Sequence, residues 1–323
     1  MVKVDLQKAF INALSHQYPK KNVLVDVLSN ILFVEKDGIY RRLSGRINFT
    51  INEMASISHA LNVPIDSLIS GKDDTVMSIP FILKKPLRVS SLDNLFDSID
   101  FSFERIKDMG GGVCGAIFKS LPTECYLHSH LFSKFMFFRL GYYLVGTSEF
   151  KKFSRWEMPE RGLAMADKHK EIHRNLDSVF YILDEFVFSS LAIEVLNFHR
   201  MHVITDSEKE QIREEIYTLL DMIELMISGS STPIPINTNR AFYISPISLG
   251  FDINYFMNED KHYISFYTDF CYSLAGKSPE GFSRLKEWID SFRNISTSIS
   301  DNGLMERARF FNFQRKLISQ ILE

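Results

Sequence analysis

The stretch from Val23 to Ile69 constrains this chain more than any other. Its start and stop signals cut it into a run of short helices. Val23 to Leu32 has the apolar spacing of a short amphipathic helix, and Val34-Glu35 reads as a turn. Lys36 to Ser44 follows as a second helix stopped by Gly45. Thr50 caps a third helix, with Glu53 three residues on to complete a capping box, and Pro64 opens a fourth. Ile39 and Leu43 fall on one side of the 36–44 helix and form its buried face. Asp37, Arg41 and Ser44 point the opposite way, flanked by Gly38 and Tyr40.

Three segments occur here in a fixed order: Ile39-Tyr40-Arg41-Arg42-Leu43-Ser44-Gly45-Arg46, then Ala60-Leu61-Asn62-Val63, then Ile65-Asp66-Ser67-Leu68. Together they resemble the lambda-repressor/Cro-type helix-turn-helix domain of bacterial regulators. The resemblance implies a five-helix DNA-binding domain over residues 1–70, with the 36–44 helix lying in the major groove of double-stranded DNA. The chain departs from the family pattern at two places. No small residue marks the tight turn near Phe33-Val34, and Gly38 sits inside the recognition helix, where glycine costs about 1 kcal/mol against alanine.

On this reading Asp37, Gly38, Tyr40, Arg41 and Ser44 contact bases. Arg41 is the best reader, because its fork matches the O6/N7 edge of guanine, and Asp37 can accept from cytosine N4. Lys20, Lys21, Asn22, Lys36, Arg42, Arg46 and Asn48 contact phosphate from the scaffold-helix start and the flanks of the recognition helix. A single short helix reads few base pairs, so a homodimer on paired half-sites is expected. Charge supports the reading modestly. Residues 1–70 hold eight Lys/Arg (3, 8, 20, 21, 36, 41, 42, 46) against six Asp/Glu (5, 26, 35, 37, 53, 66), a balance of +2 within a chain of net charge −3.

Gly71-Lys72-Asp73-Asp74 and the prolines at 80 and 86 mark residues 71–90 as a linker. Residues 91–323 read as a larger α+β regulatory or dimerisation domain, so the whole chain is mainly α. A helix spans 91–109 and stops at the glycines of 110–112, and a short buried strand covers 113–119. Ser207 and Glu210 supply a capping box for a helix over 208–228. Alternating apolar residues at Ile247–Tyr255 and Ile264–Tyr272, around Asn258–Lys261, predict a small antiparallel sheet. Helices near 279–293 and 301–322 close the chain, the last with Arg307, Arg309, Arg315 and Lys316 on a solvated face.

The composition, 45% hydrophobic and 24% charged, excludes wholesale disorder. Of 28 phenylalanines only Phe10, Phe33 and Phe49 fall before residue 71, so the aromatic excess belongs to the larger domain. It reads as core before it reads as an apolar effector pocket. Leu131–Val145 and Phe186–Ile204 are apolar but carry charges, and read as buried core helices, with no membrane partner. Three cysteines are too few for a disulfide framework, which points to a cytoplasmic protein.

Histidine pairs at 169/173 and 199/202, and Cys125 with His128 and His130, fall short of the three or four ligands a zinc site needs, so no metal and no cofactor is expected. No catalytic arrangement is visible in the spacing. The expected function is therefore a sequence-specific transcriptional regulator, not an enzyme, answering to a small-molecule or protein effector. Two alternatives differ in class. One is an interaction scaffold whose bundle does not bind DNA. The other is an enzyme regulated by its first domain, with His128, His130, Arg139 and His173 as the residues to inspect.

Overall fold

The computed structural model describes residues 5–61, 63, 65, 68, 81–83, 93, 96, 107, 111–146, 149–174, 176–229, 240–268, 271–276, 279–300 and 303–323. The chain is α+β and mainly helical, and it divides into two compact units. One is Met1–Phe81 with Gly276–Ser283, and the other is Ile82–Ala275 with Arg284–Glu323.

In the first unit four helices, α1 (Leu6–Gln17), α2 (Lys21–Leu32), α3 (Lys36–Leu43) and α4 (Ile51–Leu61), close around one apolar core. Phe10, Leu14, Leu24, Val25, Leu28, Ile39, Phe49, Met54, Ile57 and Val63 form that core. Each helix contributes the residues its amphipathic spacing put on one side. The Thr50 capping box forms as expected: the Thr50 amide donates to Glu53 Oε2 at 2.9 Å, and the Glu53 amide donates to Thr50 Oγ1 at 3.2 Å. The helix expected from Pro64 lies largely outside the described residues. Ile65 and Leu68 are helical and pack on the same core.

The chain carries a mixed sheet. Its strands are β1 (Phe81–Leu83), β2 (Val113–Phe118), β3 (Ser178–Leu183), β4 (Arg240–Ile244), β5 (Asp252–Met257), β6 (His262–Thr268), β7 (Cys271–Gly276) and β8 (Thr297–Ser298). They lie in the order β1-β7-β6-β5-β2-β3-β4-β8. The antiparallel hairpin β5–β6 turns at Asn258–Lys261 as predicted, with Asn258 Oδ1 accepting from the amides of Asp260 and Lys261. The expectation of a wholly antiparallel small sheet is corrected: β2, β3 and β4 run parallel at its centre. Ile247 and Leu249 precede β5 and are not strand residues, and Phe81–Leu83 is a strand inside the expected linker. Of the expected 91–109 helix, Asp93, Phe96 and Lys107 are described, and all three are helical.

Helices α5 (Thr123–Tyr126), α6 (His130–Leu144), α7 (Glu160–Arg174), α8 (Val187–Arg200), α9 (Asp206–Ile227) and α11 (Leu304–Leu322) accompany the sheet, with α10 (Pro279–Ile295) between β7 and β8. Cys114, Ala116, Val179, Tyr181, Phe242 and Phe256 on one sheet face join the apolar cluster formed with α6, α8, α9 and α11. α6 is apolar nearly all round and buries Phe132, Phe135, Met136, Phe137 and Phe138, as a core helix should. On the opposite sheet face, Tyr255 Oη donates to Asp290 Oδ1 of α10 at 2.9 Å, and the Arg293 guanidinium lies 4.6 Å from the Phe180 ring centre. Burial and the Asp290 carboxylate together hold the Tyr255 phenol well above its ordinary range.

Two local expectations shift. The capping box of α9 is made by Thr205 and Glu208, not Ser207 and Glu210. Val203 and Ile204 are anchored in the core, which makes Thr205 the first residue at the surface able to cap. Ser207 lies within the helix, and Glu210 pairs with Arg213. Arg307 is not on the solvated face of α11: it is buried and donates through Nη1 to the Ile299 carbonyl at 2.9 Å. Among the described residues no helix is long and apolar enough to cross a membrane.

Candidate nucleic-acid interface

α2 follows the N-cap residue Lys20, whose side chain makes no capping bond to the first-turn amides. At its far end Phe33 takes the left-handed conformation, φ 54° and ψ 39°, and its side chain is 95% exposed. This is the turn where the sequence lacked a small residue. Ser29 Oγ donates to the Val34 carbonyl at 2.6 Å and closes the turn from the α2 side. A phenylalanine with positive φ is strained, so Phe33→Gly should stabilise the first unit by about 1 kcal/mol. Slower hydrogen exchange of the α2 and α3 amides would register the gain. A loss would mean that the exposed ring makes a contact worth more than the strain.

α3 presents the face expected of it. Ile39 is fully buried and Leu43 packs on the core, while Lys36, Asp37, Tyr40, Arg41 and Ser44 are exposed. The helix ends at Leu43, with Ser44 as its cap. Tyr40 Oη donates to Asn22 Oδ1 at 3.2 Å, and Lys21 Nζ lies 5.6 Å from the Tyr40 ring centre. The start of α2 and the outer face of α3 are therefore one surface. After Gly45, which has φ 75°, Arg46 and Asn48 are exposed on the flank.

Each cation on α3 has a carboxylate. Lys36 Nζ is 2.5 Å from Asp26 Oδ1, and Arg41 Nη2 is 2.6 Å from Asp37 Oδ2. The Asp26 hydrogen bond raises the Lys36 ammonium above its ordinary value. Arg42, also expected at phosphate, is a different case, because its guanidinium is engaged within the unit. Its Nη2 lies 2.6 Å and its Nε 3.2 Å from the two oxygens of Glu53, and Nη1 donates to the Gly38 carbonyl at 3.1 Å. Both side chains of the pair are over four-fifths buried. Arg42 clamps α3 to α4, and its guanidinium holds the Glu53 carboxyl below the usual carboxylate range.

Gly38 is likewise not an open position on the reading face. A Cβ there would stand 2.7 Å from Val34 Cγ1, so the glycine lets the turn pack against α3. Asp26 and the partnership of Glu53 with Arg42 were missed by sequence reasoning. Both pairings cross from one helix to another, which helical spacing within one element does not reveal.

Among the described residues no group of three His, Cys, Asp or Glu could hold a metal ion. His199 Nε2 is 2.8 Å from Asp206 Oδ1, and Arg139 Nε is 2.5 Å from Glu194 Oε1. The side chains of His169 and His173 lie outside the described residues. A cleft of about 260 Å³ opens at the carboxyl ends of β3 and β4, between Glu185, Ser245 and the first turns of α11. Comparison of the chain with protein-family models, curated proteins and solved structures finds no match.

Proposed function

We propose that the first unit is a DNA-reading module of the lambda-repressor type and that the protein is a transcriptional regulator. The observation that carries this reading is the surface built by α2 and α3. Tyr40 bonded to Asn22 joins the uncapped start of α2 to a short, solvent-facing helix that offers Asp37, Arg41 and Ser44. Lys20, Lys21, Lys36, Arg46 and Asn48 border it. A short helix with an exposed guanidinium and carboxylate has the donor and acceptor to read a guanine and a neighbouring cytosine in the major groove. Phosphate contacts from the rim set its register. Helical Ile65 and Leu68, seated on the same core, support the fifth helix. The larger unit serves effector sensing or pairing of two copies, so that two reading helices meet two half-sites.

Selection from a random duplex library, run on the full chain and on Arg41→Ala, tests this. The wild-type chain should enrich one sequence family. Arg41→Ala should cost about 1–3 kcal/mol at that site and relax the preference at one base position. Enrichment of nothing by the wild-type chain would overturn the reading.

A further inference from the structure

The reading face carries its own competitors for phosphate. Asp26 holds Lys36 and Asp37 holds Arg41, and all four side chains are more than half exposed. Glu35, at the start of α3, is a third exposed carboxylate. The face therefore sets three carboxylates against five exposed cations, Lys20, Lys21, Lys36, Arg41 and Arg46. A duplex presents one negative charge about every 1.7 Å along its axis, so either pair meeting phosphate must open or carry its acid toward like charge.

Resting on the DNA reading above, we infer that Asp26 and Asp37 are specificity-determining residues, which withhold Lys36 and Arg41 from the phosphate backbone at large. Exposed pairs of this kind open readily in water, so they act as a filter and not a lock. On arbitrary sequence the carboxylates repel phosphate and the two cations remain engaged with them. At a site with a guanine beside a cytosine, the Arg41 fork moves to the O6/N7 edge and Asp37 accepts from cytosine N4. Both charges then find partners, and opening the pair is offset. The acids thus depress non-specific binding more than specific binding.

The test is equilibrium binding of the full chain to a mixed-sequence duplex over a range of salt concentrations, for wild type, Asp26→Asn, Asp37→Asn and Arg41→Ala. Each Asp→Asn variant should bind several-fold more tightly. The slope of log K against log salt should steepen by about 0.9 for each cation released to phosphate. In library selection Asp37→Asn should enrich a broader set of sequences than wild type. Because Asp37 lies in the first turn of α3, Asp26→Asn serves as a second variant that leaves that turn untouched. Unchanged affinity and slope in both Asn variants, with binding weakened by Arg41→Ala, would overturn the inference and leave the DNA reading standing. Absence of duplex binding by wild type and every variant would overturn both.

Discussion

Phe138→Ala should destabilise the larger unit by about 4 kcal/mol, the largest single effect expected in the chain. Phe138 is fully buried in α6, and its ring centre lies 5.4–6.4 Å from those of Tyr142, Phe150, Phe153, Trp156 and Phe198. Truncation removes the buried ring and leaves a void walled by rigid aromatics from several segments, which cannot collapse into it cheaply. Trp156 stands 5.8 Å away and supplies the probe: its fluorescence followed through urea unfolding should give a lower midpoint in the variant. A shift worth less than about 1 kcal/mol would show that this aromatic cluster is loosely packed and can accommodate a cavity. The phenylalanine excess of the larger unit is thus core material at α6, and no effector pocket is needed to account for these rings.

Glu53→Ala should loosen the first unit by about 3 kcal/mol. The substitution strips Arg42 of its two carboxylate contacts while the guanidinium stays largely buried, and it also removes the acceptor of the Thr50 amide. Hydrogen exchange of the α1–α4 amides should quicken, while that of the larger unit should not. Replacing both partners, as in Arg42→Met with Glu53→Leu, should recover most of the loss, because a buried pair exchanged for apolar groups is often close to neutral. Failure of the double variant to recover would mean that the capping bond, not the ion pair, carries the effect.

The same residue gives the unit an acid-sensitive joint. The Glu53 carboxyl is held below its unfolded value of about 4.3, so its stabilisation is complete above that pH and is lost as pH falls through the lower folded value. Wild-type exchange should accelerate in that acid window. Glu53→Gln, which cannot titrate, should be less stable at neutral pH and lose the corresponding step.

What the sequence made legible was local. The Thr50–Glu53 box, the buried side of α3 and the Asn258 turn each depend on residues within four positions of one another, and each appears where the pattern put it. The α9 start shows the limit of such rules. Thr205 with Glu208 and Ser207 with Glu210 fit the same pattern, and the anchoring of Val203 and Ile204 decides between them. The parallel pairing of β2 with β3 was not legible, because a buried central strand has no alternation to report its neighbours or their direction. At the candidate interface, exposure of Asp37, Tyr40, Arg41 and Ser44 followed from helical periodicity. The inward turn of Arg42 did not, since its carboxylate comes from another helix. Gly38 was read as a base-contacting position, and its close neighbour Val34, which comes from the turn, was not foreseen.

The position of β2 in the sheet has a consequence for how the chain is made. One edge of β2 is completed by β3, but the other is completed by β5, so Val113 waits for Met257. During synthesis the four N-terminal helices can close their core while the ribosome is still far from β5. β2 emerges soon after and stands with an unfilled hydrogen-bonding edge until most of the remaining chain has followed. The interval before β5 arrives is the period of greatest aggregation hazard for this protein. Chains truncated between β4 and β5 should accordingly collect in insoluble form while their N-terminal helices remain folded.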